Sequence, residues 1–429
     1  MSGNVGLLNI LKQEVRSAVG CTEPGAIAFA AAKAASYCQG EIKEVEVLLS
    51  PGVFKNGYAV GIPGTGDRGI ALAAALGALI KEPEKELEIL KELNPGPVKA
   101  AKTLVSQGKV SVKYDWDLDG IFVQIRLDTT EDSCIVIVRG AHTRVESVVL
   151  NGKTVYLSHE RLQKANLQRQ LKATGLENLV NKAQTLPASE LQFLLEGLQQ
   201  NYRIAEAGLK AKVGLGIGYG IGNLMEDKVI RHDLINETRS LVAAAADARM
   251  QGIDLPVSTS FGSGNQGILT FLAIGEAATF LKVSEEKLLH ALAIGHLVNG
   301  YVKEVTGKIS PLCGCSIAAG LGVTVAVSWL LGNNWAGISG AANNLLGNIT
   351  GMICDGAKGG CAFKLATSAG ESLIAAFLAK KEIAIKQPEG IVAANIEDSI
   401  NNLGLISKVG MSNLDRAMLS IVEQQDKLA

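Results

Sequence analysis

Ile309-Ser-Pro-Leu-Cys313-Gly-Cys315-Ser-Ile-Ala-Ala-Gly-Leu opens a run that reaches Cys354 without one Asp, Glu, Lys or Arg. A stretch this long and uncharged belongs in an interior, and its Ala, Leu and Val content predicts buried helices. Cys313, Cys354 and Cys361 lie inside the run or at its edge. A thiolate is a soft ligand for iron and zinc, so three of them around one uncharged core point to a metal centre shielded from water. Helix signals follow them, Ser316-Ile-Ala-Ala-Gly-Leu after the first pair and Ala362-Phe-Lys-Leu-Ala-Thr after the last. Helix N-termini present free N–H groups and partial positive charge, which suits thiolates and an anionic iron–sulfur cluster.

Cys315 to Gly332 is eighteen residues without charge, the lower margin for a membrane span. No flanking positive bias accompanies it, and Asn333, Asn334, Asn343 and Asn344 follow closely. The expectation is a core helix and no membrane.

The 429 residues leave room for two or three domains, and 47% apolar with 19% charged residues predicts a large core rather than disorder. A net charge of −1 and 4% aromatics leave no electrostatic footprint or stacking platform for nucleic acid. Seven cysteines in no disulfide spacing, after an N-terminus without the pattern of a signal peptide, predict a reducing cytoplasm.

Three segments emerge. Residues 1–40 read as two helices: Leu7, Leu8, Leu11, Val15 and Val19 keep helical spacing, and Gly25 to Cys38 is rich in Ala. Residues 41–157 change period. Val45–Leu49, Val110–Tyr114, Ile121–Leu127, Cys134–Val138 and Val145–Leu150 read as strands, and Asn151-Gly152 is a hairpin signal. With a helix over 70–93, this is an α+β unit. Residues 158–429 read as a larger all-α catalytic domain entered through a polar linker helix at 160–177, and strand signals vanish after about residue 178. The N-terminal helices are expected to pack on that helical domain.

Further groups could carry chemistry. In Gly20-Cys21-Thr22-Glu23-Pro24-Gly25, Thr22 fits an N-cap, which would place Cys21 outside a helix N-terminus with a lowered pKa. Gly262-Ser263-Gly264-Asn265-Gln266-Gly267 precedes a helix and offers backbone N–H groups to a carboxylate or phosphate, although it lacks the ending of a Walker loop. Val53-Phe-Lys55-Asn56-Gly57 reads as a similar loop in which Lys55 could neutralise an anion. On the helix from Ser284 to Tyr301, His296, Asn299 and Lys303 share one stripe running towards Cys313. The bland alternatives are buried structural thiols, an inert capping turn, a core histidine and a solvated lysine.

Cys21-Thr-Glu-Pro, Phe54-Lys-Asn-Gly, Asp247-Ala-Arg-Met, Gly262-Ser-Gly-Asn-Gln-Gly, Lys303 with Gly307, Cys313-Gly-Cys and Met352-Ile-Cys-Asp-Gly-Ala-Lys-Gly-Gly-Cys together resemble the L-cysteine desulfidases. These belong to the serine-dehydratase-like group that works with an iron–sulfur cluster in place of pyridoxal phosphate. The likeness spans nearly the whole chain, and the helical half is more distantly similar to iron–sulfur L-serine dehydratases. The resemblance implies a [4Fe–4S] cluster on Cys313, Cys354 and Cys361, with Cys315 competing for the first place and one iron left open for substrate. It implies β-elimination of L-cysteine to pyruvate, ammonia and hydrogen sulfide. Cys21, Glu23, His296 and Lys303 become candidate catalytic groups, the base being Lys303 or His296. Lys55, Asn56, Ser263, Gly264, Asn265 and Gln266 become the candidate substrate contacts. The α+β unit is left with three possible roles: supporting the site through Lys55, binding a partner, or forming the surface of a homodimer.

Overall fold

The computed structural model describes residues 2–158 and 170–426. The expected linker helix at 160–177 falls largely outside the described residues; within it, 170–174 is helical.

A short strand β1 (Ser17–Val19) follows the first helix, Ser2–Glu14. A mixed sheet comes next, built from β2 (Ile42–Leu49), β3 (Val110–Tyr114), β4 (Phe122–Thr129), β5 (Ser133–Arg139), β6 (Val145–Leu150) and β7 (Lys153–Leu157). Its order is β3-β2-β4-β5-β6-β7. Only β2 and β3 run parallel, and such a pair needs a long crossover. Here the crossover carries helices Pro51–Gly57, Ile70–Ile80 and Pro95–Ser106. The Phe54-Lys-Asn-Gly motif is therefore helical rather than a loop. The β6–β7 hairpin turns at Asn151 and Gly152, whose φ values of 49° and 77° are what a tight primed turn requires.

One sheet face buries Val45, Val47, Leu49, Val123, Ile125, Leu127, Val136 and Val138. The helix Thr22–Ala35 covers it through Ile27, Phe29, Ala30 and Ala34. The expectation that both N-terminal helices join the helical domain is thus corrected for the second. Ser2–Glu14 does place Leu7, Ile10 and Leu11 in the helical core. Thr22–Ala35 is apolar on nearly every side, and the alternating sheet leaves a face that only such a helix can close.

The remainder is helical except for β8 (Pro256–Ser258), which pairs antiparallel with β1. The uncharged run forms a π-turn at Cys315–Ala319 and the helices Gly320–Leu330 and Trp335–Ile349, all largely buried. Among the described residues one helix, Cys361–Lys380, is long and apolar enough to cross a bilayer. It packs instead against Leu234–Gln251, Gly320–Leu330 and Trp335–Ile349.

The small β1–β8 ladder matters for the site. Beyond its ends, Thr259 N–H donates to Arg16 O at 2.7 Å and Phe261 N–H to Glu14 O at 2.8 Å. The ladder joins the strand that leads to Cys21 to the strand that leads to Ser263.

Candidate active site

A cavity of about 90 Å³ opens where these segments meet the cysteine loops. Water needs roughly 10–15 Å³ of such space, so the cavity suits a small ligand. Cys313, Cys315, Cys354 and Cys361 line one part of it, and Cys21, Glu23, Asn56, Ser263, Asn265, Gln266 and Lys303 the rest.

Backbone pairing places the cysteines. Cys313 N–H donates to Met352 O at 2.9 Å and Cys354 N–H to Pro311 O at 2.7 Å. These two bonds flank a single antiparallel bridge between Leu312 and Ile353. Cys361 begins the helix Cys361–Lys380, where first-turn N–H groups have no intrahelical partner. A hydrogen bond from Cys315 pulls the Cys313 thiol down to about 6 against the opposing effect of burial. Cys315 itself is pushed up, first by giving that bond and then by burial. Within the pair, Cys313 is the thiol brought nearer to thiolate. Burial raises Cys354 and Cys361, the latter to about 11. Each of these two thiols feels the charge of Cys313 and of the cation Lys364.

Among the described residues, no three His, Cys, Asp or Glu side chains are gathered closely enough for a single metal ion. The thiols share one cavity without forming a mononuclear site. In kind, this soft donor set beside lysines fits a larger anionic group such as an iron–sulfur cluster.

Glu23 is the organising carboxylate. Its Oε2 accepts from Cys21 Sγ and Thr22 Oγ1, both at 3.0 Å, and its Oε1 accepts from Asn56 Nδ2 at 3.0 Å. Burial works against its charge. The nearby His142 and the bonds from Cys21 and Asn56 nevertheless hold its pKa well below the usual carboxylate range. His142 Nε2 lies 3.9 Å from Oε1. Cys21, not Thr22, is the N-cap of its helix. Its thiol is pushed up by burial and then by Glu23, the reverse of the lowering expected at a helix terminus. The geometry makes Cys21 a neutral donor. Asn56 also places its Oδ1 4.0 Å from Cys354 Sγ, linking the carboxylate to the cysteine loops.

The polar stripe is buried along its length, and the helix continues to Thr306 (Glu285–Thr306). His296 Nδ1 and Asn299 Nδ2 both reach Ser260 Oγ, at 2.8 and 2.7 Å. His296 packs on Phe271 behind the cavity without lining it, and burial takes its pKa down to about 3. Lys303 does line the cavity. Its Nζ donates to Phe261 O at 2.7 Å, and burial, followed by repulsion from Lys308, lowers its pKa to about 8. Of the two candidate bases, the amine is the one that faces the space.

Lys55 and Gly264 do not line the cavity. Lys55 is a buried cation 2.6 Å from Asp415 Oδ1, acting on Cys354 through its charge. Ser263 caps the helix Gly264–Phe280, its hydroxyl accepting from Gln266 N–H at 3.4 Å. Gln266 Oε1 is buried without a partner.

Arg249, His142, Lys308 and Lys364 also line the cavity, and sequence reasoning assigned none of them a role. Only Arg249 carried a signal, as part of Asp247-Ala-Arg-Met. Asp247 Oδ2 accepts from Gly218 N–H at 3.0 Å at the start of the helix Ile217–Glu226, which fixes the segment bearing Arg249.

Residues 84–420 match the family model of the serine dehydratase alpha chain. The chain is 40% identical over 425 residues to the UPF0597 protein of Desulfatibacillum aliphaticivorans, covering 96% of this chain and 97% of that one. It is 39% identical over 416 residues to a UPF0597 protein of Clostridium botulinum, covering 97% and 96%. A UPF0597 protein of Clostridioides difficile is 37% identical over 426 residues, covering 98% and 100%.

Proposed function

Because the chain belongs to the serine dehydratase alpha-chain family, we propose that it is an iron–sulfur lyase that eliminates the β-substituent of L-cysteine. The products would be pyruvate, ammonia and hydrogen sulfide. One observation carries the reading: Cys313, Cys354 and Cys361 line the same small cavity that Lys303 enters as a buried amine.

Cys313, Cys354 and Cys361 would hold a [4Fe–4S] cluster, which would supply thiophilic Lewis-acid chemistry towards the β-sulfur. Lys303 in its neutral form takes the Cα proton, a task suited to an amine with a pKa near 8. Glu23 is a positioning residue that fixes the Cys21 thiol and Asn56 at the cavity wall. The enamine left by elimination hydrolyses to pyruvate and ammonia once it meets water. This chemistry dispenses with pyridoxal phosphate. All seven cysteines are free, which accords with a reducing cytoplasm as the place of action.

The family's description favours a second reading, in which L-serine is the substrate and water leaves in place of sulfide. Anaerobic purification with iron reconstitution, followed by assay of pyruvate and sulfide, separates the two. Sulfide and pyruvate from L-cysteine, lost in air, support the desulfidase. Pyruvate from L-serine alone moves the assignment to a dehydratase. A loaded protein inert towards both amino acids removes the lyase reading.

A further inference from the structure

We infer that Arg249, together with the first turn of the helix Gly264–Phe280, is the receptor for the substrate's α-carboxylate. This makes the site selective for free amino acids over their decarboxylated or esterified counterparts. The inference deepens the proposed lyase reading and rests on it for the identity of the substrate, but not for the presence of an anion site.

Four observations carry it. Arg249 is 3% exposed and lines the cavity. Its Nη1 donates to Asn265 Oδ1 at 2.9 Å, which fixes the plane of the guanidinium. Its Nε is buried with no hydrogen-bond partner, and among the described residues Arg249 forms no ion pair with a carboxylate. The guanidinium also lies flat on Gly264, where an added Cβ would stand 2.4 Å from Nε and 2.8 Å from Nη2.

A buried guanidinium keeps its charge at any accessible pH and must find an anion or bear a large desolvation cost. Protein groups leave that need unmet here. The ligand that meets it must be small, anionic and able to enter the cavity. Gly264 and Asn265 occupy the first turn of a seventeen-residue helix, where backbone N–H groups have no intrahelical acceptor. A planar carboxylate could take the guanidinium fork on one side and the N–H of Asn265, which lines the cavity, on the other. The lack of a side chain at Gly264 lets the two donors approach each other.

The cluster is the other anion within reach. The cations that act most strongly on Cys354 and Cys361 are Lys55 and Lys364, whereas Arg249 acts on Cys21. Arg249 therefore serves the Cys21–Glu23 side of the cavity, apart from the cations around the cysteine loops.

The test uses two thiol probes titrated calorimetrically into the anaerobic, cluster-loaded full chain. One is 3-mercaptopropionate, which carries the carboxylate, and the other is cysteamine, which lacks it. Wild type should prefer 3-mercaptopropionate by about 10²-fold, the order expected for a desolvated charge pair. Arg249→Gln should erase that preference, and Arg249→Lys, which keeps the charge without the fork, should retain part of it. Iron and sulfide content and thermal melting are measured on each variant. If Arg249→Gln does not fold, the Arg249→Lys preference relative to wild type decides. An unchanged preference in either folded variant overturns the proposal. So does loss of iron in Arg249→Lys with the preference intact, which would assign the arginine to the cluster. A carboxylate preference that depends on Arg249, in a protein inert towards L-cysteine and L-serine, would uphold this site while removing the lyase reading.

Discussion

Lys303 Nζ donates to the carbonyl oxygen of Phe261 at 2.7 Å. Phe261 adopts a φ of 48°, a conformation costly for a bulky residue, and Gly262 follows at 81°. The strained turn directs a carbonyl at an amine that burial has already made easier to deprotonate. Neutral acceptor and desolvated amine together suit the base of the proposed lyase reading.

The pH dependence follows from this pair. The amine is active only after losing its proton, and its pKa is lowered to about 8. With L-cysteine, kcat/KM should rise roughly tenfold per pH unit below about 8 and level off above it. Lys303→Met should lower kcat by at least about 10²-fold. A flat profile across that range, or an active Lys303→Met variant, would assign the base elsewhere.

The same lysine weakens the fold. A folded pKa of about 8 against the ordinary 10.5 means that folding disfavours the charged form. The penalty is fully present below pH 8 and fades as pH rises through 10.5. At pH 7 it is about 3 kcal/mol, of which the hydrogen bond to Phe261 returns about 1. Lys303→Met should therefore be more stable than wild type by about 2 kcal/mol in denaturant unfolding at pH 7. The difference should narrow in alkaline solution; a destabilised variant at pH 7 would contradict this account.

Glu23 gives a slope of the same sign at the acid end, since it too binds fewer protons folded than unfolded. Its folded pKa is depressed, so its contribution is present above the ordinary value of 4.5 and is lost as pH falls further. Glu23→Gln should cost about 1–3 kcal/mol at pH 7, because Cys21, Thr22 and Asn56 lose a charged acceptor. Urea unfolding of both proteins at pH 7 and in acid should show this gap closing. A gap that stays constant would mean that the carboxyl is already neutral at pH 7.

The cysteines separate into two classes. Substituting Cys313, Cys354 or Cys361 with Ala should remove bound iron, visible absorbance and turnover together. Cys315→Ala should keep the iron, since Cys315 acts as hydrogen-bond donor to the Cys313 thiol. Iron analysis after anaerobic reconstitution decides the matter. Iron retained by Cys313→Ala and lost by Cys315→Ala would exchange their roles.

Much of the architecture was legible because the local rules agreed with one another. Alternation at Val45–Leu49, Phe122–Leu127 and Cys134–Val138 marked half-buried strands, and Asn151-Gly152 marked the hairpin of Val145–Leu150 with Lys153–Leu157. The three cysteines announced a shared cavity because the run between them lacks charge. The destination of Thr22–Ala35 was not legible, since an Ala-rich helix fits either a sheet or a bundle. Strands β1 and β8, three residues each, fall below any period that a sequence can display. Their pairing joins the chain before Cys21 to the chain before Ser263. Arg249 and His142 enter the cavity only through such long-range pairing, and an unmet hydrogen-bonding need has no signature along a chain.

The helix Thr22–Ala35 does two things at once: its body closes the sheet, and its first turn places Glu23 at the cavity wall. The sheet is therefore a lever as well as a scaffold. Whatever leans on it, a neighbouring copy or a small effector, would press on a carboxylate that grips Cys21 and Asn56. Asn56 and His142 of the same unit also line the cavity, so a tilt of that helix would change the shape offered to substrate from two sides.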